Sequence, residues 1–272
     1  MTQPFNARDY WESRLSEQYS LTGVGYRRLG LHFNRWMYRV RARVFARVAA
    51  SLGVDWSEAR VLDVGAGTGF YVDQWHRLGV PSVTGFDITA KAVEELSRRF
   101  PQDRFHQVDI GQPPDPALVA EGPFDAASAM DVLFHIVDDD QYAQSFRAIA
   151  ALLRPGGWFL WSDNFLRHET ERVEHQVSRP LEESERLVRE AGFEITGRVP
   201  MFVLMNYPAD TRSRLARLGW TAMVAPAALA EPLGLLLGAL LYPLEAVLTR
   251  TLRQSPTTEI MICRKRPSDG SR

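Results

Sequence analysis

Three groups of residues in this 272-residue chain have the types and spacing to do chemistry. The first is Val61-Leu62-Asp63-Val64 running directly into Gly65-Ala66-Gly67-Thr68-Gly69. A hydrophobic strand that ends in such glycines lets the backbone approach a ligand where a Cβ would collide. The second is a pair of later acids, Asp87 and Asp109, each closing a short β-rich run. A carboxylate about 20 residues beyond a glycine turn can accept ribose hydroxyls, which suits Asp87. The third is a polar set further on: His135, whose imidazole titrates near neutrality, and the oxygen donors Asp163 and Asn164. The turn is not the dinucleotide fingerprint, which needs glycine at the position of Phe70, and it lacks the lysine of a phosphate-binding loop.

The elements that must position these residues alternate. Short β-rich runs at 60–64, 82–87, 104–108, 124–130, 157–162 and 193–198 are separated by helical patterns, and a seventh run lies at 259–264. That alternation predicts an α/β, doubly wound, mainly parallel seven-stranded sheet. Helices are marked by Val93, Leu96 and Phe100 after a Thr89 cap, by Phe146, Ile149, Leu152 and Leu153, and by Leu181, Leu187, Val188 and Ala191. Hydrophobic residues at 45% and charged residues at 24% exclude a mainly disordered chain. A net charge of -1 argues against a nucleic-acid partner. The lone Cys263 forms no intramolecular disulfide, and the residues from Met1 to Asp9 lack a signal-peptide pattern, so a cytoplasmic setting is expected.

The spacing GxGxG after an acidic strand resembles motif I of the class I S-adenosylmethionine-dependent methyltransferases. Gly85-Phe86-Asp87, Val108-Asp109-Ile110, Phe124-Asp125 with the loop Asp131 to Ile136, and Leu153-Arg154-Pro155-Gly156-Gly157 are similar to the family's later landmarks in order. The resemblance covers about 59–199 plus the last strand. It implies S-adenosylmethionine as cofactor, held by Asp63, Gly65, Ala66, Gly67, Gly69, Asp87, Ile88, Asp109, Ile110 and Met130. Asp63 would orient the amino-acid part, Asp87 the ribose, Asp109 the adenine amino group and Ile88 the ring. The loop after the fourth strand borders the methyl group in this family. His135 there would either take the acceptor proton or shape the pocket by packing. Asp163-Asn164 resembles the metal-binding pair of catechol-type O-methyltransferases, with Asp131 as third ligand. Asp131 stands one residue out of step with that pattern, so no metal is expected and Asp163 and Asn164 are taken to line the acceptor site.

Bland roles compete for several of these residues. Asp87 and Asp109 equally suit helix N-caps. Asp138, Asp139 and Asp140 read as an acidic helix start, and His168 and His175 as loop residues. Two regions lie outside the alternation. The head, residues 1–58, has an apolar helical stripe at Trp36, Val40, Val44, Val48 and Leu52, with Arg35, Arg39, Arg43 and Arg47 on another face. An insertion, residues 200–257, separates the core segments 59–199 and 258–266. Its opening Met201, Phe202, Met205 and Tyr207, with Tyr26 and Tyr38 of the head, are expected to enclose a partly apolar small-molecule acceptor. The apolar stretch 222–248 is interrupted by Pro226, Pro232, Pro243 and two glutamates, which favours burial or a membrane surface over spanning. The function expected is methyl transfer, foremost to a hydroxyl. The alternatives are carboxyl methylation of an acyl or fatty acid, and an inert cofactor-binding or membrane-docked protein.

Overall fold

The computed structural model describes residues 5–267; Met1 to Pro4, where the head begins, lie outside the described residues. The chain starts with helices α1 (Ala7–Glu17), α2 (Leu21–Val24) and, after a 3-10 turn, α3 (Gly30–Ser51). Strands and helices then alternate: β1 (Val61–Val64), α4 (Phe70–Arg77), β2 (Val83–Asp87), α5 (Ala90–Arg99), β3 (Arg104–Gln107), α6 (Pro116–Glu121), β4 (Phe124–Met130), α7 (Asp139–Leu152) and β5 (Leu153–Asp163). A small hairpin, β6 (Glu171–Val173) and β7 (Gln176–Ser178), precedes α8 (Leu181–Glu190) and β8 (Phe193–Pro200). The helices α9 (Arg214–Leu229) and α10 (Glu231–Thr251) follow, and β9 (Glu259–Lys265) closes the sheet.

The seven-stranded sheet has the order β3-β2-β1-β4-β5-β9-β8. β9 alone is antiparallel to both its neighbours, so β8 points the same way as β1. Strand order reverses between β1 and β4, and ligands in such sheets bind beyond the carboxyl ends of the strands at that point. Each face of the sheet has its own core. One gathers Phe33, Met37, Val44 and Phe45 of α3 with Trp56 and Trp75. The other gathers Tyr142 and Phe146 of α7 with Phe159, Trp161 and Phe193. The hairpin β6–β7 was not legible in the sequence, because its three-residue strands are polar and show no hydrophobic alternation.

The insertion does not begin as a pocket. Met201, Phe202 and Met205 are fully buried in the α3-side core. The reason lies in Glu245 of α10, a buried carboxylate that accepts the backbone N–H groups of Val203 at 2.7 Å, Leu204 at 2.8 Å and Met205 at 3.4 Å. Thr257 Oγ1 donates to the Phe202 carbonyl at 2.8 Å and fixes the same loop from the segment just before β9. Charge-assisted bonds of this kind turn the loop inward, and its apolar side chains follow. α10 packs along α3, with Gly238 against Trp36 and Trp36 Nε1 donating to the Leu235 carbonyl at 3.1 Å. Phe202→Ala therefore lowers the unfolding free energy by about 3–5 kcal/mol in a urea titration. A loss under about 1 kcal/mol, with acceptor kinetics altered instead, would return Phe202 to a pocket wall.

Candidate active site

The turn after β1 is built by two glycines with left-handed backbone, Gly65 at φ +71° and Gly67 at φ +53°. A Cβ on Gly65 would lie 2.3 Å from Val132 Cγ2, so packing forbids it. At Gly67 a Cβ would meet the Gly65 carbonyl oxygen at 3.7 Å and Val24 at 3.8 Å, ordinary contact distances, so the left-handed φ is what favours glycine there. Asp87 ties this turn to β2: its Oδ2 accepts the Gly67 N–H at 2.8 Å, while Oδ1 accepts Thr89 N–H at 2.9 Å and Thr89 Oγ1 at 2.7 Å. A carboxylate offers about four acceptor positions, so one is left for a ligand. Burial raises the Asp87 pKa, opposed by these donors. Tyr19 of the head donates to the Gly67 carbonyl at 2.9 Å and holds the turn from the other side.

In front of the turn lies a cavity of about 710 Å³, between the sheet edge and the head. Gly65, Ala66, Gly67, Asp87, Ile88, Asp109, Ile110, Met130, His135, Asn164, Tyr26, Tyr38 and Tyr207 all line it. Ile88, Val108 and Ile110 form an apolar slot beside Asp109. Asp109 is not a helix cap: its Oδ1 accepts the Gly111 N–H at 3.0 Å in a local turn.

Several expected residues face elsewhere. Asp63 is buried behind β1, where Ser128 Oγ donates to it at 2.6 Å and itself accepts Trp75 Nε1 at 2.9 Å. Burial pushes its pKa up to about 7. Gly69 is the cap of α4, and a Cβ there would strike Phe100 at 2.6 Å, so it serves helix packing. Asp163 accepts the Asn164 N–H at 2.7 Å and faces Tyr142 Oη at 3.5 Å, away from the cavity; burial pushes it up to about 7. Met201, Phe202 and Met205 belong to the core, as described above.

The three residues of the catechol-type pattern are engaged by protein partners instead. Asp131 pairs with Arg41 and accepts Ser162 Oγ at 2.8 Å, and the Asn164 oxygen accepts Thr258 Oγ1 at 3.1 Å. Among the described residues no three His, Cys, Asp or Glu side chains gather to hold a metal.

His135 ends a 3-10 turn at the carboxyl edge of β4. Its Nδ1 lies 2.8 Å from the His175 carbonyl, which can only accept, so Nδ1 bears the proton and Nε2 keeps its lone pair. Burial drives the His135 pKa down to about 4, so the ring is neutral at pH 7. Trp11 of α1 meets it edge-on at 4.8 Å and His175 stacks at 5.8 Å. His175 is thus not a free loop residue. The turn of β6–β7 presents it, and Tyr10 stacks on its far side at 5.1 Å.

Two further features escaped sequence reading. Arg41 lines the cavity, lying over the rings of Phe202 at 4.9 Å and Tyr38 at 5.4 Å, with its Nε buried and without an acceptor. Its signal was present, since Arg41 follows Met37 by four and precedes Val44 by three, a cation on the apolar face of α3. Opposite, a hydrogen-bonded wall runs from Tyr26 Oη to Asn206 (2.7 Å), Asn206 Nδ2 to Thr258 (2.5 Å), Thr258 to Asn164 (3.1 Å) and Asn164 Nδ2 to Ser178 (3.3 Å). It joins five separate chain segments, so no local pattern announces it.

Residues 61–157 match the family described as a methyltransferase domain. That stretch of the chain carries a methyltransferase domain. Over 110 residues the chain is 36% identical to the ubiquinone biosynthesis O-methyltransferase of Albidiferax ferrireducens, a stretch covering 38% of this chain and 40% of that one. The chain thus spans about two fifths of the length of this curated relative. The fold is shared over nearly the whole length of the chain with solved structures. It covers 98% of this chain and 93% of the 1,6-didemethyltoxoflavin-N1-methyltransferase of Burkholderia thailandensis, with a TM-score of 0.55 at 20% identity. It covers 97% of this chain and 100% of the magnesium protoporphyrin IX methyltransferase of Synechocystis PCC 6803, with a TM-score of 0.58 at 15% identity.

The raised Asp163 pKa has a stability consequence. An acid raised from 3.8 to about 7 on folding is tolerated at low pH, and its stability contribution is lost as pH rises from about 4 to 7. Asp163→Asn removes that loss. The melting temperature of the variant minus that of the parent is expected to grow across this window and then level off. A flat difference would show that Asp163 is ionised in the fold.

Proposed function

We propose that this protein transfers a methyl group from S-adenosylmethionine to a hydroxyl of a small, partly apolar acceptor. The observation behind the proposal is that Gly67, Asp87 with its remaining acceptor position and His135 with its Nδ1 committed to the His175 carbonyl all line one cavity. The residues present fit the cofactor. Gly67 leaves room for close approach, Asp87 accepts from the ribose, Ile88, Val108 and Ile110 flank the adenine, and Asp109 meets its amino group. The buried, unpartnered Nε of Arg41 suits the cofactor carboxylate. When bound, S-adenosylmethionine supplies a methyl group already activated by a sulfonium.

The chain's own task is then positioning, which can contribute about 7–11 kcal/mol when reacting atoms are held in line. The wall of Tyr26, Asn206, Thr258, Asn164 and Ser178 orients polar groups of the acceptor, and Trp11 and Tyr10 cover it from the head. His135 Nε2 accepts the acceptor proton. A base with pKa of about 4 does not remove a hydroxyl proton beforehand, so it takes the proton as charge develops during transfer. Oxygen is favoured by the curated relative, an O-methyltransferase by name. A carboxyl acceptor is less well served. Arg14 is engaged by the Gly23 and Gly25 carbonyls, and the unpartnered Nε of Arg41 is assigned to the cofactor carboxylate. The proposed setting is cytoplasmic, where Cys263 stays a buried free thiol.

Asp87→Ala is expected to weaken S-adenosylmethionine binding by about 10- to 150-fold in calorimetry, the equivalent of a charged hydrogen bond of about 1.5–3 kcal/mol. Unchanged affinity in a folded variant would sink the cofactor site. With a panel of hydroxyl, carboxyl and amine acceptors, His135→Ala lowers kcat by about 10²- to 10⁴-fold with cofactor affinity preserved. Because the His135 pKa is held near 4, kcat/KM stays flat on acidification well below pH 6.5. An acid limb centred on 6.5, or turnover intact in His135→Ala, would leave the histidine a packing role. Cofactor binding without turnover on any acceptor would point to an inert binding protein.

A further inference from the structure

We propose that the outer face of the α9–α10 hairpin docks flat on an anionic lipid bilayer. Among the described residues, thirteen large aliphatic side chains are strongly exposed, and ten of them lie between Leu215 and Leu252. α10 is 21 residues long with mean hydropathy 1.6, yet only 28% of its most apolar window is buried. Its inner face is narrow and committed: Gly234 and Gly238 sit against Phe33 and Trp36 of α3, and the Thr249 carbonyl accepts Arg47 at 2.8 Å. Leu233, Leu236, Leu240, Leu244 and Val247 recur at spacings of three and four on the opposite face and touch nothing that would cover them.

Charge decides the occupant. The exposed charged residues at the ends of the two helices are Arg212, which pairs with Glu169 at 3.6 Å, Arg214, Arg250 and Arg253, against the single acid Glu231. Arg35, Arg39 and Arg43 add an exposed row on α3, the helix against which α10 packs. The two acids of the hairpin both accept backbone N–H groups, and the arginines outnumber them. Glu231 accepts the N–H groups of Leu31 at 2.7 Å and His32 at 2.9 Å, and Glu245 holds the loop after β8. An apolar strip with a cationic rim matches the boundary between acyl chains and anionic headgroups, as on a cytoplasmic leaflet. A second copy of the chain would bring arginine rims together, and like charges there oppose pairing. Spanning is excluded by the same contacts, since crossing would strip Glu245 from three N–H groups and α10 from α3. The hairpin also adjoins the cavity. Trp220 of α9 donates to the Leu204 carbonyl at 2.9 Å and packs edge-on at 5.4 Å against Tyr207, which lines the cavity.

The proposal does not depend on methyl transfer, so its test reads binding alone. The full chain is floated with vesicles of phosphatidylcholine, with and without phosphatidylglycerol, at low and high salt. Binding is expected to the anionic vesicles and to fall with salt. Leu236 and Leu240 are 58% and 66% exposed, so Leu236→Glu with Leu240→Glu leaves the melting temperature unchanged while lowering bound protein by at least about tenfold. Arg250→Glu with Arg253→Glu, which leaves the apolar strip intact, has a similar effect of about tenfold. Equal binding to neutral vesicles, or none to either, overturns the proposal. So does a dimer in sedimentation that the leucine variant splits, which would make this face an interface between copies.

Discussion

The bond from the Gly67 N–H to Asp87, 2.8 Å long, is the contact on which the site depends. It joins the turn after β1 to the end of β2, the two strands that define the mouth of the cavity. Because Gly67 has no side chain and a left-handed φ of +53°, its N–H can turn toward the acid while its carbonyl accepts Tyr19 Oη. The same carboxylate receives Thr89, which caps α5 by accepting Ala92 N–H at 3.2 Å. One buried acid thereby sets the turn, the strand end and the start of a helix. It keeps a single acceptor position for whatever enters.

Carboxylates that take backbone N–H groups from a distant element recur throughout the molecule. Glu12 of α1 accepts Ala90 at 2.8 Å and Lys91 at 3.1 Å, so the head is fastened to the first turn of α5. Glu231 caps α3 from the start of α10, and Glu245 gathers the loop after β8. Each satisfies donors that a helix start or tight loop would leave orphaned, with favourable charge at helix N-termini. Glu12, Glu231 and Glu245 attach the head and the insertion, the two parts outside the βα alternation, by polar contacts of fixed geometry as well as by apolar burial.

The cover over the cavity follows from this attachment. α1 brings Trp11 against His135 and Tyr10 against His175, and Tyr19 reaches the carbonyl of Gly67. Withdrawing His135 from water lowers its pKa, and the His175 carbonyl fixes which nitrogen holds the proton. The imidazole's availability as a base is therefore a property of the lid and the β6–β7 hairpin as much as of the strand edge that bears it. The α9–α10 helices contribute little to this enclosure; of the insertion, only the loop around Asn206, Tyr207 and Ala209 reaches the cavity.

Residue order alone determined the strand-turn-helix unit at Val61 to Arg77, the parallel alternation, and the placing of Asp87, Asp109 and His135 at strand ends. These are local consequences: glycine tolerance of left-handed backbone, hydrophobic periodicity, and the rule that strand ends converge on one edge. Tertiary structure decided which of the neighbouring candidates face the cavity. Asp63 and Asp87 both lie at strand ends, yet Asp63 turns behind β1 to Ser128, 65 residues away, and only Asp87 meets the turn. Met201, Phe202 and Met205 looked like an apolar pocket, and Glu245, some forty residues on, draws them into the core. Arg41, His175 and the Asn206 wall acquire their places from partners on other elements. The physical reason is the same in each case: a buried polar group must find its hydrogen-bond partner wherever the packed chain supplies one, and sequence spacing does not say where that will be.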